Sequence, residues 1–250
     1  MELSKSKANV ISSLSSKKMR IKHGLFLAEG EKCVLDMLDA YQVEYIVATP
    51  EWIEGNIRRL KIPDTQICEA QINDIKKMSS LSTPSQVMAV FKMPENELPE
   101  IKQDKLYLLL DGVQDPGNLG TIIRTCDWFG VDTVFASDST VDVFNPKTVQ
   151  STMGSLKRVK VHYTDLGRLI ERYPDMPVYG TVLDGRNIYK MNLKDFGFIV
   201  MGNEGNGITD SIKNKIKIPL LIPPYDKDSH AESLNVAIAT AVVLSTFRFG

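Results

Sequence analysis

Residues 105–136, KLYLLLDGVQDPGNLGTIIRTCDWFGVDTVFA, predict a strand, a helix and a second strand in that order. Lys105–Leu110 is a continuous apolar run, as expected of a strand buried on both faces of a parallel sheet. Apolar residues recur at helical spacing over Asn118–Phe129, which predicts a helix. Asn118 suits its N-cap, and Gly130 suits the position after its last residue. Val131–Ala136 predicts the next strand. The pattern is typical of a parallel βαβ unit.

The same alternation continues to the end of the chain. Asn145 and Pro146 predict the start of another helix, and Ser233 suits the N-cap of a final long helix. Further strands are predicted at Arg158–His162, Val178–Leu183, Phe198–Met201 and Ile218–Ile222, with "VLDG" (182–185) as a turn that ends its strand. The fold class predicted for this half is α/β with a mostly parallel sheet.

The first part of the chain predicts a smaller α/β unit. Strands are expected at Gly24–Glu29, Val43–Thr49 and Val87–Phe91, with helices over Glu31–Leu38 and Pro50–Leu60. Two prolines and four acids then interrupt the pattern, which predicts a linker. The predicted division is therefore a first domain over 1–93, a linker over 94–104 and a second domain over 105–250.

Charge and cysteine content bound the function. The net charge of −1 gives no overall basic field for nucleic acid, but residues 1–23 hold six Lys or Arg against one acid. Two interpretations of that segment stay open: a solvated, frayed terminus or an arm that contacts RNA. The chain has three widely spaced cysteines without a CxxC motif, scattered histidines and no long apolar run. These features predict a cytoplasmic protein without disulfides, a metal site or a membrane span.

Two polar side chains stand out at strand-to-helix turns. Arg124 falls opposite the apolar stripe of its helix, next to the strand end where α/β sheets bind ligands. Its alternatives are an ion pair with Asp127 or a contact with an anion such as phosphate. Glu204 lies in the loop Gly202–Gly207, whose glycines do not have dinucleotide-binding spacing. That spacing opposes a nucleotide-dependent oxidoreductase.

Three segments resemble motifs of a known family. "NLGTIIRTCDWFGVD" (118–132), "VMGNEGNGI" (200–208) and "IPPYDKDSHAESLNVAIATA" (222–241) are similar to the three motifs of the SpoU (TrmH-type) RNA methyltransferases of the SPOUT superfamily. More weakly, "GLFLAEGEKCVLDML" (24–38) and "STPSQVMAVF" (82–91) resemble the N-terminal substrate-binding domain of that family. Together the two resemblances cover most of the chain.

The resemblance implies a trefoil-knotted second domain, S-adenosylmethionine as methyl donor, a homodimer and methylation of a ribose 2′-hydroxyl in structured RNA. Three loops would surround the donor, at 181–185, 201–207 and 222–234. The residues matched to donor binding are Thr181, Leu183, Gly185, Met201, Gly202, Gly205, Ile222 and Leu234. The residues matched to the polar catalytic set are Asn118, Arg124, Glu204, Ser233 and Asn235.

The expected mechanism places the charge of Arg124 beside the developing alkoxide, since an arginine stays protonated. Asn118 and Glu204 would position Arg124 or the nucleotide, and Ser233 and Asn235 would order the third loop. Ribosomal RNA is favoured over transfer RNA by family analogy. A non-catalytic RNA-binding protein of the same fold is the other alternative. Two departures, a longer stretch between Ile222 and Ser233 and a loose match at "QSTMGSLKRV" (150–159), affect substrate detail more than reaction type.

Overall fold

A computed structural model describes residues 1–226 and 233–250. Its helices are α1 (Lys5–Ser13), α2 (Lys17–His23), α3 (Glu31–Leu38), α4 (Pro50–Asn56), α5 (Ile72–Met78), α6 (Pro116–Trp128), α7 (Pro146–Ser151), α8 (Leu166–Arg172), α9 (Asp210–Lys213) and α10 (Val236–Phe249). Its strands are β1 (Leu25–Glu29), β2 (Val43–Ala48), β3 (Ile67–Glu69), β4 (Val87–Lys92), β5 (Leu106–Asp111), β6 (Thr133–Ala136), β7 (Lys160–Tyr163), β8 (Val178–Asn187), β9 (Gly197–Gly202) and β10 (Ile218–Leu221). No helix in this part of the chain is long and apolar enough to cross a membrane.

The chain forms two compact units. Unit 1 consists of Met1–Glu95 and Asp142–Lys157, and unit 2 consists of Asn96–Val141 and Arg158–Gly250. The boundary after Glu95 lies inside the predicted linker. The predicted division placed 142–157 in the second domain, whereas these residues pack in unit 1, where the ring of Phe144 lies 4.5 Å from that of Phe26. Burial of apolar side chains on β1 therefore decides where this segment belongs.

Unit 1 has a four-stranded sheet in the order β1-β4-β2-β3, with β4 antiparallel to both neighbours. Its basic N-terminal segment is folded. Ser4 caps α1, Ile11 and Leu14 are buried in the core, and α2 turns Arg20 inward. The frayed-terminus interpretation is therefore wrong for this segment, because it forms two helices and buries Ile11, Leu14 and Arg20.

Unit 2 has a six-stranded parallel sheet in the order β10-β8-β9-β5-β6-β7. This confirms the predicted α/β class. All six residues of β5 are buried, as its apolar run predicted. Helix α8 packs on Tyr107 and Leu109 of β5, and α6 packs against α10. The trefoil knot stays a prediction.

Three local predictions were wrong. Asp115, not Asn118, caps α6: its Oδ1 accepts a hydrogen bond from the Asn118 amide at 2.8 Å, and Pro116 begins the helix. Asn235, not Ser233, caps α10, because α10 begins only at the next residue. The segment 182–185 does not end β8, which continues to Asn187. Instead the pairing shifts, since Pro219 lies opposite Gly180 but Leu220 lies opposite Arg186.

Candidate active site

The centre of the unit 2 sheet is a topological switch point. Strands β5 and β9 are neighbours; β6 and β7 lie beyond β5, whereas β8 and β10 lie beyond β9. Asp111 and Gly202 are opposite each other at the carboxyl ends of the two central strands. Open α/β sheets bind ligands in the crevice outside such a point. The loops that follow β5 and β9 are therefore where a site is expected.

The loop after β9 folds back tightly on itself. The side chain of Asn203 donates to the Gly112 carbonyl at 2.7 Å and accepts from the amides of Gly205 and Asn206, both at 2.9 Å. A Cβ on Gly202 would lie 2.3 Å from the carbonyl carbon of Gly207, so no side chain fits there. The packing of this loop therefore requires glycine at position 202.

Glu204 joins this loop to the start of α6. Its carboxylate accepts hydrogen bonds from the amides of Gln114 (3.2 Å) and Asp115 (3.3 Å) and from the side chain of Asn118 (2.9 Å). Partial burial is the largest single influence on its pKa and raises it. The hydrogen bonds, that of Asn118 first, outweigh burial and hold the pKa of Glu204 below its ordinary value. The group is therefore a charged acceptor.

Asn118 also contacts the start of α10. Its Oδ1 accepts a hydrogen bond from Nδ2 of Asn235 at 2.9 Å, while Oδ1 of Asn235 accepts from the first amides of α10. Glu204, Asn118 and Asn235 thus form one chain of hydrogen bonds, called here the amide–carboxylate chain. It joins segments 86 and 117 residues apart in sequence. Three of the five predicted polar residues are brought together in this way.

A cavity of about 340 Å³ lies beside this chain of bonds. It is lined by residues 181–183, 201–207, Leu220, Ile222, Ser233, Leu234, Val236 and Ala239. Its size falls within the usual range for small-molecule sites. Seven of the eight residues matched to donor binding line it: Thr181, Leu183, Met201, Gly202, Gly205, Ile222 and Leu234.

The eighth matched residue, Gly185, is not among the lining residues. A Cβ there would lie 2.5 Å from the carbonyl carbon of Leu220, so this glycine allows β8 to approach β10 closely. Ser233 lines the cavity and is exposed, and within 1–226 and 233–250 it has no hydrogen-bond partner. Residues 227–232 of the third predicted loop, His230 among them, lie outside the described residues.

Arg124 is exposed on α6, opposite the buried residues Leu119, Ile122 and Cys126. The alternative of an ion pair with Asp127 is wrong, because Arg158 holds that carboxylate through two bonds of 2.6 and 2.7 Å. Within the described ranges the side chain of Arg124 forms no ion pair or hydrogen bond. Asn118 and Glu204 therefore do not hold it directly, and their expected alternative role of positioning the nucleotide stays a prediction.

Two structurally important residues were missed from sequence. Asn203 organises the loop after β9, and the buried Asp111 accepts bonds from the amide and hydroxyl of Thr209 at 2.8 and 2.7 Å. Each follows or ends a strand beside a glycine, a pattern typical of side chains that bond to a turn backbone. Among the residues that the structure describes, no cluster of His, Cys, Asp or Glu is suited to a metal ion.

The model of the SpoU rRNA Methylase family matches residues 105–245, which is more than half of the chain. The chain belongs to this family. The model of a second family, the MRM3-like substrate binding domain, matches residues 6–89.

Full-length relatives of this SpoU family member support the assignment. A 23S rRNA (guanosine(2553)-2′-O)-methyltransferase, RlmP, of Bacillus subtilis is 34% identical and covers 94% of this chain and 93% of its own length. The structure of a TrmH-family protein from Porphyromonas gingivalis is 38% identical, covers 99% of both chains and has a TM-score of 0.88. An AdoMet-bound rRNA methyltransferase from Sinorhizobium meliloti is 28% identical, with a TM-score of 0.86 over 99% of this chain and 96% of its own.

Proposed function

We propose that this SpoU family member transfers a methyl group from S-adenosylmethionine to a ribose 2′-hydroxyl of ribosomal RNA. The observation that carries the proposal is the amide–carboxylate chain, which fixes the three motif segments around one cavity. Two relatives support the chemistry: one is named a 23S rRNA 2′-O-methyltransferase, and the other is an rRNA methyltransferase with AdoMet bound.

The cavity fits a nucleoside donor. Main chain at Gly202, Gly205 and Ile222 offers polar groups, while Leu234 and Val236 offer apolar surface for an adenine ring. We propose that the seven lining residues matched above hold the donor. When bound, S-adenosylmethionine supplies an electrophilic methyl group on a sulfonium centre. The residues of the protein align the acceptor hydroxyl and stabilise the charge that develops on its oxygen. The oxygen–methyl bond forms as the sulfonium–methyl bond breaks, and the hydroxyl proton passes to solvent.

Glu204 acts in this proposal as a positioning residue. Its lowered pKa and its hydrogen bonds make its carboxylate a poor base at neutral pH. The side-chain hydrogen bonds of Asn118 and Asn235 connect Glu204 to α6 and to the start of α10. Loss of any member would loosen the loops around the donor. Ser233 is proposed to face the bound donor or nucleotide, because it lines the cavity and is exposed.

Arg124 is the proposed catalytic cation. Its guanidinium is exposed and, within the described residues, unpaired, so it is available to an RNA phosphate or to the developing alkoxide. An arginine stays charged at neutral pH, which favours electrostatic stabilisation over base catalysis. Removal of a single group that stabilises such a charge lowers the rate on the order of 10²–10³-fold.

The test is Arg124→Ala, with Arg172→Ala as the control, because Arg172 is an exposed residue of α8. Transfer of labelled methyl to unmodified 23S rRNA transcript should fall roughly 100-fold or more in the first variant only. Calorimetry should show unchanged affinity for S-adenosylmethionine in both. Normal turnover of Arg124→Ala would remove Arg124 from the mechanism. RNA binding by the unaltered protein without affinity for the donor would favour the non-catalytic alternative.

We also propose that unit 1 binds the RNA. Lys17, Lys18 and Lys22 of α2 are exposed, and α2 contains no acid to offset them. Deletion of residues 1–23 would unfold unit 1, because Ile11 and Leu14 are part of its core. The test is therefore the triple Lys→Gln variant, which should reduce the salt slope of rRNA binding by about 2. An unchanged slope would reject the role of α2.

A homodimer and a cytoplasmic location complete the proposal. Trp128 (85% exposed) and Phe249 (80%) lie on α6 and α10, which pack against each other, together with the half-exposed Ile238. Large apolar side chains exposed on two packed helices are candidates for an interaction surface. Sedimentation should show a dimer in the unaltered protein and a monomer for Trp128→Asp. A monomeric unaltered protein would exclude this interface.

A further inference from the structure

A second cavity in unit 2 has no residue in common with the proposed donor cavity. It has a volume of about 630 Å³ and lies along β8, the start of β10 and the segment 186–194. This volume would admit a nucleotide. None of the residues proposed for methyl transfer lines it, so the proposed reaction leaves its purpose unexplained.

The rim of this cavity is cationic. Arg186, Lys190 and Lys194 all line it, and all three side chains are exposed. Within 1–226 and 233–250 none of the three forms an ion pair. Lys194 makes a cation–π contact, with its ammonium 5.4 Å from the ring centroid of Phe196. No Asp or Glu is among the lining residues. Three unopposed positive charges therefore surround one concave surface.

The two acids nearest in sequence are paired with other cations. Asp184 lies 3.8 Å from the ammonium of Lys213, and Asp195 is paired with Arg248. Arg248 is itself anchored to the Phe129 carbonyl, which fixes that pair in place. The three cations of the rim are therefore available to bind an anionic partner, although the whole chain has a net charge of −1.

Part of the lining of this cavity is apolar. Pro177, Leu193 and Ile218 line it together with Tyr179, whose ring is buried and packs edge-on against Phe247, with 4.8 Å between the ring centroids. Apolar surface beside a positive rim matches a nucleotide chain, whose bases have apolar faces and whose phosphates are anionic.

We propose that this cavity is a second RNA-contact site, at which Arg186, Lys190 and Lys194 bind backbone phosphates of the substrate. The proposal rests on the proposed function in that it takes RNA as the substrate. The three cations are four residues apart along the chain, so they offer several phosphate contacts rather than one. RNA bound here would be held by unit 2 itself, in addition to the contacts proposed for unit 1.

The test compares two triple variants of the full chain. One is Arg186→Gln, Lys190→Gln and Lys194→Gln. The control, Lys102→Gln, Arg168→Gln and Arg172→Gln, removes the same charge from exposed positions elsewhere in unit 2. Binding of unmodified 23S rRNA transcript is measured as a function of salt. The cavity variant should lose about 2 from the salt slope and roughly tenfold in affinity near 0.1 M salt, and the control much less.

A second measurement locates the contact. Acetylation of surface lysines, followed by mass spectrometry, should show that RNA protects Lys190 and Lys194 in the unaltered protein but leaves Lys102 reactive. Equal salt slopes for the two variants, or unprotected lysines in the unaltered protein, would overturn the proposal. A shift of the monomer–dimer balance in the cavity variant, with RNA affinity unchanged, would overturn it also by assigning the cavity to an interface.

Failure of this proposal is distinguishable from failure of the proposed function. Affinity for S-adenosylmethionine, measured by calorimetry, should be the same in the cavity variant as in the unaltered protein, because the two cavities have no lining residue in common. If the unaltered protein binds RNA but not the donor, the methyltransferase proposal fails while the salt slopes still decide the role of the cavity. If donor and RNA bind normally but the slopes agree, only the cavity proposal fails.

Discussion

Replacing Arg20 with methionine tests how residues 1–23 are anchored in unit 1. The Arg20 side chain is 1% exposed and donates four hydrogen bonds. Two of them go to one carboxylate oxygen of Asp142, at 2.9 and 2.6 Å, and the others go to the carbonyls of Leu14 and Ser15. Methionine keeps most of the apolar stem and removes every donor.

The expected loss follows from what would remain buried. Asp142, whose side chain is 11% exposed, would lose its cation, and the carbonyls of Leu14 (buried) and Ser15 would each lose a donor. Removing one partner of a buried ion pair costs about 3–5 kcal/mol. For a protein of this size each kcal/mol shifts the melting temperature by roughly 2–4 °C, so Tm should fall by about 6–20 °C.

The assay is thermal and urea unfolding, with Arg58→Met as the control because Arg58 is exposed. The control should lie within about 0.5 kcal/mol of the unaltered protein. The double variant Arg20→Met, Asp142→Leu should regain most of the loss, since apolar replacement of a whole buried pair is often close to neutral. The reasoning is refuted if Arg20→Met is as stable as the control, or if the two changes simply add.

Three further predictions concern the site and the thiols. Gly202→Ala should weaken binding of S-adenosylmethionine about tenfold, because its Cβ would lie 2.3 Å from the facing backbone. The control is Gly55→Ala on α4, whose Cβ meets nothing within 4 Å and which should leave the affinity in calorimetry unchanged. The charged Glu204 stabilises the folded protein at pH values above the pKa of this group in the unfolded chain, about 4.3. This stabilisation is lost as the pH falls through the lowered pKa of Glu204 in the folded protein. The difference in Tm between the unaltered protein and Glu204→Gln should therefore shrink between about pH 7 and pH 3, and a constant difference would contradict this. Burial raises the pKa of Cys33 to about 12 and that of Cys126 further, so near pH 8 iodoacetamide should label them, by mass spectrometry, only after unfolding.

The secondary structure of unit 2 was largely predictable because its patterns are local. The run Lys105–Leu110 and the apolar stripe of α6 predicted a buried strand and a helix with Arg124 outside, and both are confirmed. Helix starts were less predictable. Asp115 and Asn118 are both good caps, and the choice between them depends on Pro116 at the first helical position.

The basic segment shows where composition misleads. Six cations against one acid suggested a solvated terminus or an arm that contacts RNA, yet one of those cations, Arg20, is among the most buried side chains of the protein. Its partner, Asp142, is 122 residues away. Composition cannot reveal such a pair, because pairing depends on which segments are adjacent after folding.

By itself the sequence determined the α/β class, the family and most of the segments that line the proposed donor cavity, because periodicity and ordered motifs are properties of neighbouring residues. Only the tertiary structure decided that 142–157 pack in unit 1, that Asn118 joins Glu204 to Asn235, and that Arg186, Lys190 and Lys194 surround one cavity. Those facts depend on distances between segments far apart along the chain. Such distances are set by the packing of the core and cannot be derived from spacing in the sequence.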